Sequence, residues 1–315
     1  MQVLERILGI IVPVFMIIAL GYGYARMRGA TVQTDMAAIN RVSMDVLCPL
    51  LVFTALAAKD FDLAHNGLLI GAGVAISIGS GLLAWPVARL LCYDVRSFVP
   101  PMMYNNCGNM GLPLAVLAFG SASLPAAVAL FMASNLVYFS AGIALIRSNR
   151  RAGGTGGDSG AGGTPAGVSP LQLLCSPMMV AMMIGVLFSA LHLGLPQPLF
   201  QGMKLLGEAC IPIMLFALGV RMLDVSFKSW HIGLVGAAVC PLAGLLVAWL
   251  LDQVLPLTAM QRGQMYLFAA LPPAVFCFMV AERYQQEPDK VAAIVLLGNL
   301  AAIGFVPAGL WLGLR

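Results

Sequence analysis

Charged residues are scarce in this 315-residue chain, because Asp, Glu, Lys and Arg together make up only 10% of it, whereas soluble domains carry about 25%. Hydrophobic residues make up 60% of the chain. The 17 Lys and Arg residues form no basic run long enough to follow a phosphate backbone, so nucleic acid is not an expected partner. The composition predicts an all-α polytopic membrane protein surrounded by the lipid bilayer.

Sequence motifs of metal sites and enzymes are also missing. The seven cysteines stand singly in apolar segments, without a Cys-x-x-Cys pair or other metal-ligand spacing. The chain has no His-Glu-x-x-His, no Gly-x-Ser-x-Gly and no Gly-x-x-x-x-Gly-Lys phosphate loop. We therefore expect no enzyme, no ATP-driven pump, no cofactor and no metal, apart from a transported H⁺ or Na⁺.

Apolar segments of about twenty residues, the length that a helix needs to cross the bilayer core, recur ten times. Between the fifth and sixth, residues 148–169 are rich in glycine and lack an apolar cluster, which predicts a flexible linker. The ten predicted transmembrane helices lie near 7–25, 38–57, 67–91, 97–119, 124–146, 171–191, 200–221, 231–251, 262–282 and 290–313.

The second half of the chain repeats features of the first at an offset of 163 or 164 residues. The Gly-Leu-Leu at 81–83 matches the one at 244–246, and Asn135 matches Asn299. Because each half has five crossings, the second half must enter the membrane from the opposite side, so the sequence predicts inverted five-helix repeats. The two predicted repeats are residues 1–147 and 170–315.

The loops on the two sides of the predicted helices differ in charge. Twelve Lys and Arg residues fall on the side of the linker, and five fall on the side of the termini. Since cytoplasmic loops carry the excess of positive charge, the linker is predicted to be cytoplasmic. Both termini are then outside, and the expected location is the bacterial inner (plasma) membrane.

A polar stretch interrupts the fourth predicted helix, where residues 104–114 read Tyr-Asn-Asn-Cys-Gly-Asn-Met-Gly-Leu-Pro-Leu. Pro113 disrupts helical hydrogen bonding, and Gly108 and Gly111 are expected hinges where the backbone leaves the helix. Unpaired backbone groups inside a bilayer are tolerated only beside protein or a wet cavity. The stretch therefore predicts a broken helix at a binding cavity. The alternative is a proline kink packed against neighbouring helices.

These features resemble the auxin efflux carrier family, which includes plant auxin exporters and bacterial carriers of small carboxylates. The resemblance is carried by the ten spans, the central linker, the Asn-Cys-Gly-Asn-Met-Gly-Leu-Pro-Leu run and the proline pair in the ninth span. It covers nearly the whole chain and implies the crossed-helix fold shared with bile acid–sodium symporters. In that fold helices 4 and 9 are broken and cross, helices 1, 2, 6 and 7 form a scaffold, and helices 3–5 and 8–10 form a transport domain.

The resemblance also implies a substrate site at the crossing. Asn106, seven residues before Pro113, falls where plant members have an asparagine that contacts the substrate carboxylate. In the ninth span Met265 and Tyr266 occupy the corresponding place, so the second crossover is more apolar. Because no Lys or Arg lies deep within the predicted helices, we expect amides and half-helix dipoles to hold the anion. The expected substrate-binding residues are Asn105, Asn106, Asn109, Pro113, Pro272, Pro273 and Phe276.

Two carboxylates inside the predicted helices, Asp45 and Glu208, are candidates for binding a coupled proton or sodium ion. Each has a basic residue four positions earlier, Arg41 or Lys204, and this spacing also predicts a purely structural ion pair. Both interpretations stay open. For Asn135 and Asn299 the alternatives are a hydrogen bond between helices, support of the unwound backbone, or coordination of the coupled ion. These four residues are the coupling-ion candidates.

The sequence therefore predicts a secondary transporter of small organic anions such as malate, malonate or lactate, working by alternating access. An anion channel or membrane sensor is the alternative, because broken helices also build pores, and an intramembrane enzyme is less favoured. The coupling ion and the oligomeric state stay open, with a homodimer as one option.

Overall fold

The computed structural model describes residues 2–29, 31–58, 63–148, 177–221 and 229–314. The predicted linker at 148–169 lies, apart from Ser148, outside the described residues. Within these ranges the backbone is helical with short connections, and the single β-bridge joins Asn105 to Pro273.

The first half of the chain contains helices that are extended or interrupted by π-helical turns. Ser43–Leu47, Cys107–Gly111 and Tyr138–Gly142 form these turns. The α-helices are α1 (Gln2–Arg28), α2 (Thr31–Val42), α3 (Cys48–Leu56), α4 (Leu63–Leu90), α5 (Val95–Met103), α6 (Leu112–Phe119), α7 (Leu124–Val137) and α8 (Ile143–Arg147).

Among its described residues, the second half contains six α-helices and no π-helical turn. Its α-helices are α9 (Pro177–Ala190), α10 (Gln197–Arg221), α11 (Trp230–Asp252), α12 (Ala259–Ala269), α13 (Phe276–Arg283) and α14 (Pro288–Gly313).

Each of the ten apolar segments predicted from the sequence overlaps helix in the described part of the chain. Six helical stretches there are long and apolar enough to cross a membrane. Two further apolar helices, Cys107–Phe119 and Pro177–Ala190, are shorter. The helix set is that of a polytopic membrane protein. The six stretches are Met36–Leu56, Asn66–Leu90, Ser121–Ile146, Gln197–Val220, Trp230–Asp252 and Pro288–Gly313.

Helices from the two halves of the chain pack backbone to backbone through glycine. A Cβ atom on Gly21 of α1 would lie 2.1 Å from the carbonyl oxygen of Phe216 on α10, and one on Gly219 would lie 1.9 Å from that of Ile18. No side chain fits at either position, so α1 and α10 approach as closely as helices can. α3 packs against both α9 and α10, which joins these helices into one group.

Two helices, α5–α6 and α12–α13, are each interrupted by a non-helical segment, and we call them the two interrupted helices. The remaining long helices pack around them. α4 packs against α5, α7 and α11, while α14 packs against α11 and α12. Each interrupted helix begins with a capping residue that accepts a hydrogen bond from a free N–H group. Asp94 accepts from the backbone of Arg96 at the start of α5, and Thr258 forms a capping box with Gln261 at the start of α12. These caps fix the residues at which both interrupted helices begin.

Candidate functional site

The two interrupted helices meet at their breaks. α5 ends at Met103 and α12 ends at Ala269. In the unwound segments that follow, the N–H of Asn106 donates to the carbonyl of Pro272 at 2.7 Å, and the N–H of Ala274 donates to the carbonyl of Tyr104 at 2.9 Å. The breaks therefore satisfy each other's backbone groups, as a non-helical segment at membrane depth requires.

The first helix breaks several residues before the proline that predicted the interruption. The unwound residues are 104–106, after which the chain makes the π-helical turn Cys107–Gly111 and continues as α6. Pro113 lies in the first turn of α6, where proline sacrifices no helical hydrogen bond. A Cβ atom on Gly111 would lie 2.8 Å from a methyl carbon of Leu271, so this glycine permits the close contact between the two breaks.

A cavity of about 820 Å³ lies against the crossing. Its walls come from α2 and the π turn after it, the first break, α7, α9, α10, α13 and α14. The candidate residues that line it are Asp45, Asn105, Asn106, Gly108, Asn109, Asn135, Phe276 and Asn299. The candidates that do not line it are Gly111, Pro113, Glu208, Pro272 and Pro273.

Two asparagines at matching positions in the halves each hold a side chain of the first break. The hydroxyl of Tyr104 donates to Oδ1 of Asn135 at 2.8 Å, and Nδ2 of Asn106 donates to Oδ1 of Asn299 at 3.1 Å. Asn135 and Asn299 in turn donate to carbonyls four residues earlier in their own helices, at 2.8 and 2.7 Å. Both amides are therefore oriented by their helices toward the crossing.

The three asparagines of the first break and of the π-helical turn after it differ in the number of hydrogen bonds that they make. Nδ2 of Asn105 donates to the carbonyl of Phe268 at 2.8 Å, which ties the two interrupted helices together. Asn106 is bonded through both its backbone and its side chain. Asn109 lines the cavity, and its side chain makes no hydrogen bond within the described ranges. Of these three asparagines, Asn109 is the one whose amide has no hydrogen bond among the described residues.

Aromatic rings form an apolar wall of the cavity. Tyr104 stacks on Tyr138 with ring centroids 4.4 Å apart, and Phe139 meets Phe276 edge to face at 5.6 Å. Tyr104, Phe139 and Phe276 line the cavity. The sequence singled out Phe276 but missed Phe139, which reaches the cavity through the π-helical turn after α7.

Of the two predicted ion pairs, the described residues form one and not the other. Lys204 and Glu208 lie 3.8 Å apart, and both are well exposed, at 50% and 43% of their side-chain surface. Their pairing is confirmed, but neither lines the cavity. Arg41 and Asp45 both line the cavity, and no ion pair joins them in the part of the chain that is described. Asp45 stands in the π-helical turn Ser43–Leu47, where the α-helical spacing behind the prediction does not apply.

Arg41 is a cavity residue that reasoning from the sequence missed. We expected amides and dipoles alone to face the anion, yet a guanidinium is present at the end of α2 beside Asn40. Of the described residues that line the cavity, Arg41 is the only Lys or Arg and Asp45 is the only Asp or Glu. The signal for Arg41 in the sequence was weak, since this residue stands near the start of a predicted helix.

Comparisons with known proteins show which proteins the chain is similar to. A family model described as "Membrane transport protein" matches residues 6–154 and 166–310. A "Putative malonate transporter" of Rhizobium meliloti (strain 1021) is 26% identical over 330 aligned positions, which cover 98% of this chain and 96% of that relative. An "Uncharacterized transporter" of Methanothermobacter thermautotrophicus is 23% identical over 311 positions, which cover 96% of each chain.

Proposed function

Because the chain belongs to the membrane transport protein family, we propose that it is a secondary transporter that carries small organic anions across the membrane by alternating access. The family and the long apolar helices make it a multi-pass membrane transporter rather than an enzyme. The printed name of the Rhizobium relative supports a small dicarboxylate such as malonate as the substrate, and malate- and lactate-like acids belong to the same class.

The observation that carries this proposal is the amide-lined cavity at the crossing. A carboxylate that leaves water must regain hydrogen bonds, or its desolvation opposes binding strongly. The free amide of Asn109 offers donors, and the bonded amides of Asn106 and Asn299 hold the crossing in place. Phe139 and Phe276 provide apolar contact for the carbon skeleton. Small-molecule sites combine these features, an apolar lining and a few oriented polar groups.

The proposed architecture is ten crossings in two inverted repeats, with the fourth and ninth helices broken. Away from the crossing, the cavity is lined by the beginnings of the second, sixth and tenth predicted transmembrane helices and by the ends of the seventh and ninth. If the helices alternate across the membrane, all these ends lie on one side, which is the side of the Lys- and Arg-rich loops. We infer that the cavity opens toward the cytoplasm.

The proposed motion moves one group of helices against another. The group of α1–α3, α9 and α10, which is packed through Gly21 and Gly219, would be the scaffold. The interrupted helices and their neighbours would form the transport domain, with the substrate at their crossing. Transporters with inverted repeats reach the opposite state when the two repeats exchange conformations.

Asp45 is the proposed site of a coupled proton or sodium ion. It faces the cavity without a partner among the described residues, whereas Glu208 is paired with Lys204 outside it. A structural ion pair is therefore the role that we assign to Glu208. Asn135 and Asn299, which hold side chains of the first break, are assigned to positioning of the crossing.

Transport in proteoliposomes tests the proposal. Labelled malonate, malate and lactate would be supplied with and without an imposed pH or sodium gradient. A carrier gives saturable uptake and counterflow, in which unlabelled substrate inside accelerates entry of label. Flux that rises linearly with concentration and lacks counterflow would instead identify an anion channel, and no flux of any of these acids would refute the proposed substrate class.

A further inference from the structure

We propose that Arg41 is the residue that makes the carrier prefer anions with two carboxylates over anions with one. This inference rests on the proposed function and deepens it. One carboxylate would be held by the amides at the crossing, and Arg41 would bind the other.

The first support is that the guanidinium of Arg41 is available. Arg41 lies in the last turn of α2, is exposed and lines the cavity. It makes no hydrogen bond or ion pair within the described ranges. The repeat-related Lys204 differs from Arg41 in both respects, because it is paired with Glu208 and does not line the cavity.

The second support is the distribution of polar groups around the cavity. Asn40 and Arg41 stand on α2, whereas Asn106 belongs to the first break and Asn109 to the π-helical turn that follows it. The two pairs stand on separate elements of the fold. Apolar side chains of Met44, Phe139 and Phe276 also line the cavity. A solute with two anionic ends joined by a carbon skeleton matches polar groups on two elements with apolar surface in the same cavity.

The third support is the charge balance of the cavity. Of the described lining residues, only Arg41 and Asp45 carry a formal charge, so the walls are neutral overall when both are ionised. The amides at the crossing hold a single carboxylate without a fixed charge. A second carboxylate needs its own cation, and guanidinium binds carboxylate through two parallel N–H···O bonds.

The exposure of Arg41 also fits a carrier, which must release its substrate. An exposed guanidinium is screened by water, so it attracts the anion less than a buried one would. Arg41 therefore adds discrimination between anions without trapping the preferred one.

The test compares two probes that share a carbon skeleton, namely malonate and its monomethyl ester, which has lost one carboxylate. Initial uptake rates would be measured in proteoliposomes for the wild type and for Arg41→Gln, Arg41→Lys and Lys204→Gln. We expect Arg41→Gln to raise the KM for malonate about tenfold or more and to change the KM for the ester by less than about twofold. Lys204→Gln is the matched control and should leave both KM values unchanged.

The outcomes separate this inference from the proposed function. Equal changes in both KM values, or no change in either, would overturn the assignment of Arg41 while leaving the carrier function in place. If Arg41→Gln does not yield folded protein, Arg41→Lys decides, because it keeps the charge and loses the two-bond geometry. It should raise the KM for malonate more than that for the ester, and equal effects overturn the inference. A wild type that moves neither probe, and neither malate nor lactate, refutes the proposed substrate class itself.

Discussion

The two interrupted helices meet at the β-bridge between Asn105 and Pro273, but one break is polar and the other is apolar. The first break consists of Tyr104, Asn105 and Asn106, whose side chains all make hydrogen bonds to other elements. The second contains Pro272 and Pro273, which have no backbone N–H and no polar side chain. We propose that the first break supplies recognition, while the second supplies rigid backbone and a carbonyl acceptor for Asn106.

The same division extends to the charged residues of the two halves. Asp45 and Glu208 stand at matching positions in the repeat, yet Asp45 faces the cavity and Glu208 is paired at the surface. In the proposed inverted repeat, the two halves therefore carry side chains at matching positions that have different surroundings.

Replacing the central amide of the polar break should have the largest effect. Asn106→Ala removes the hydrogen bond to Asn299 and a donor at the cavity, so we expect uptake to fall at least about tenfold in proteoliposomes that contain equal amounts of folded protein. Met265→Leu alters the residue of α12 that the sequence matches to Asn106, with little change in volume, and most of the uptake should remain. Full activity in Asn106→Ala would contradict the assignment of recognition to the first break.

The second-largest effect is expected from neutralising Asp45, and neutralising Glu208, the acid at the matching position, should have a different result. Asp45→Asn is expected to abolish the stimulation of uptake by an imposed ion gradient, because the cavity then has no titratable carboxylate among its described lining residues. Glu208→Gln should retain that stimulation, since it only breaks an exposed ion pair. Initial rates with and without the gradient measure the effect. Gradient-driven uptake in folded Asp45→Asn would remove Asp45 from the coupling mechanism.

Gly298, which packs against the second break, and Gly108, which follows the first, should differ in their tolerance of a methyl group. On Gly298 a Cβ atom would lie 2.7 Å from Cδ of Pro273, whereas on Gly108 it would lie 3.3 Å from the ring of Phe131. A proline ring cannot move aside, so Gly298→Ala should cost about 1–3 kcal/mol in stability. Gly108→Ala should cost less. Thermal unfolding in detergent compares them, and the idea of a rigid second break fails if the order is reversed.

The caps of the two interrupted helices should respond differently to acid. Outside the membrane-spanning segments, hydrogen bonds from Arg96 hold the pKa of Asp94 below its ordinary value, with a further contribution from Gln286. A lowered folded-state pKa stabilises the protein above the unfolded-state value of about 3.9, and this stabilisation is lost as the pH falls through the folded-state pKa.

Asp94→Asn keeps a capping side chain but loses the charge, so it should destabilise the protein at pH 7 by under about 1 kcal/mol. This difference from the wild type should shrink as the pH falls below about 4. Thr258→Ala removes an uncharged cap, at a cost of about 1 kcal/mol that should not depend on pH in this range. Unfolding temperatures of both variants between pH 7 and pH 3 provide the measurement, and parallel pH curves would contradict the role of Asp94.

Local sequence predicted those features that depend on local physics. Hydropathy predicted the helical segments, and the glycines, proline and asparagines of residues 104–114 predicted a break in the fourth helix. The break nevertheless lies at 104–106, because a proline such as Pro113 is accommodated in the first turn of the next helix. The ion pair of Lys204 and Glu208 followed from helical spacing alone.

Features that depend on which helices meet were not predictable in this way. Arg41 and Phe139 reach the cavity because α2 and the turn after α7 pack beside the crossing, and nothing in their neighbouring residues indicates that placement. The π-helical turns that hold Asp45 and Phe139 have no recognisable sequence pattern here. The partners of Asn135 and Asn299 likewise depend on contacts between distant segments.

The bridge between the two breaks also constrains the order in which this protein can be completed during synthesis. The N–H of Asn106 and the carbonyl of Tyr104 find their partners on Pro272 and Ala274, which leave the ribosome slightly more than half a chain later. Until then the first half must keep these groups hydrated or shielded by other means. Insertion of the first five helices therefore precedes, and cannot by itself produce, the finished crossing.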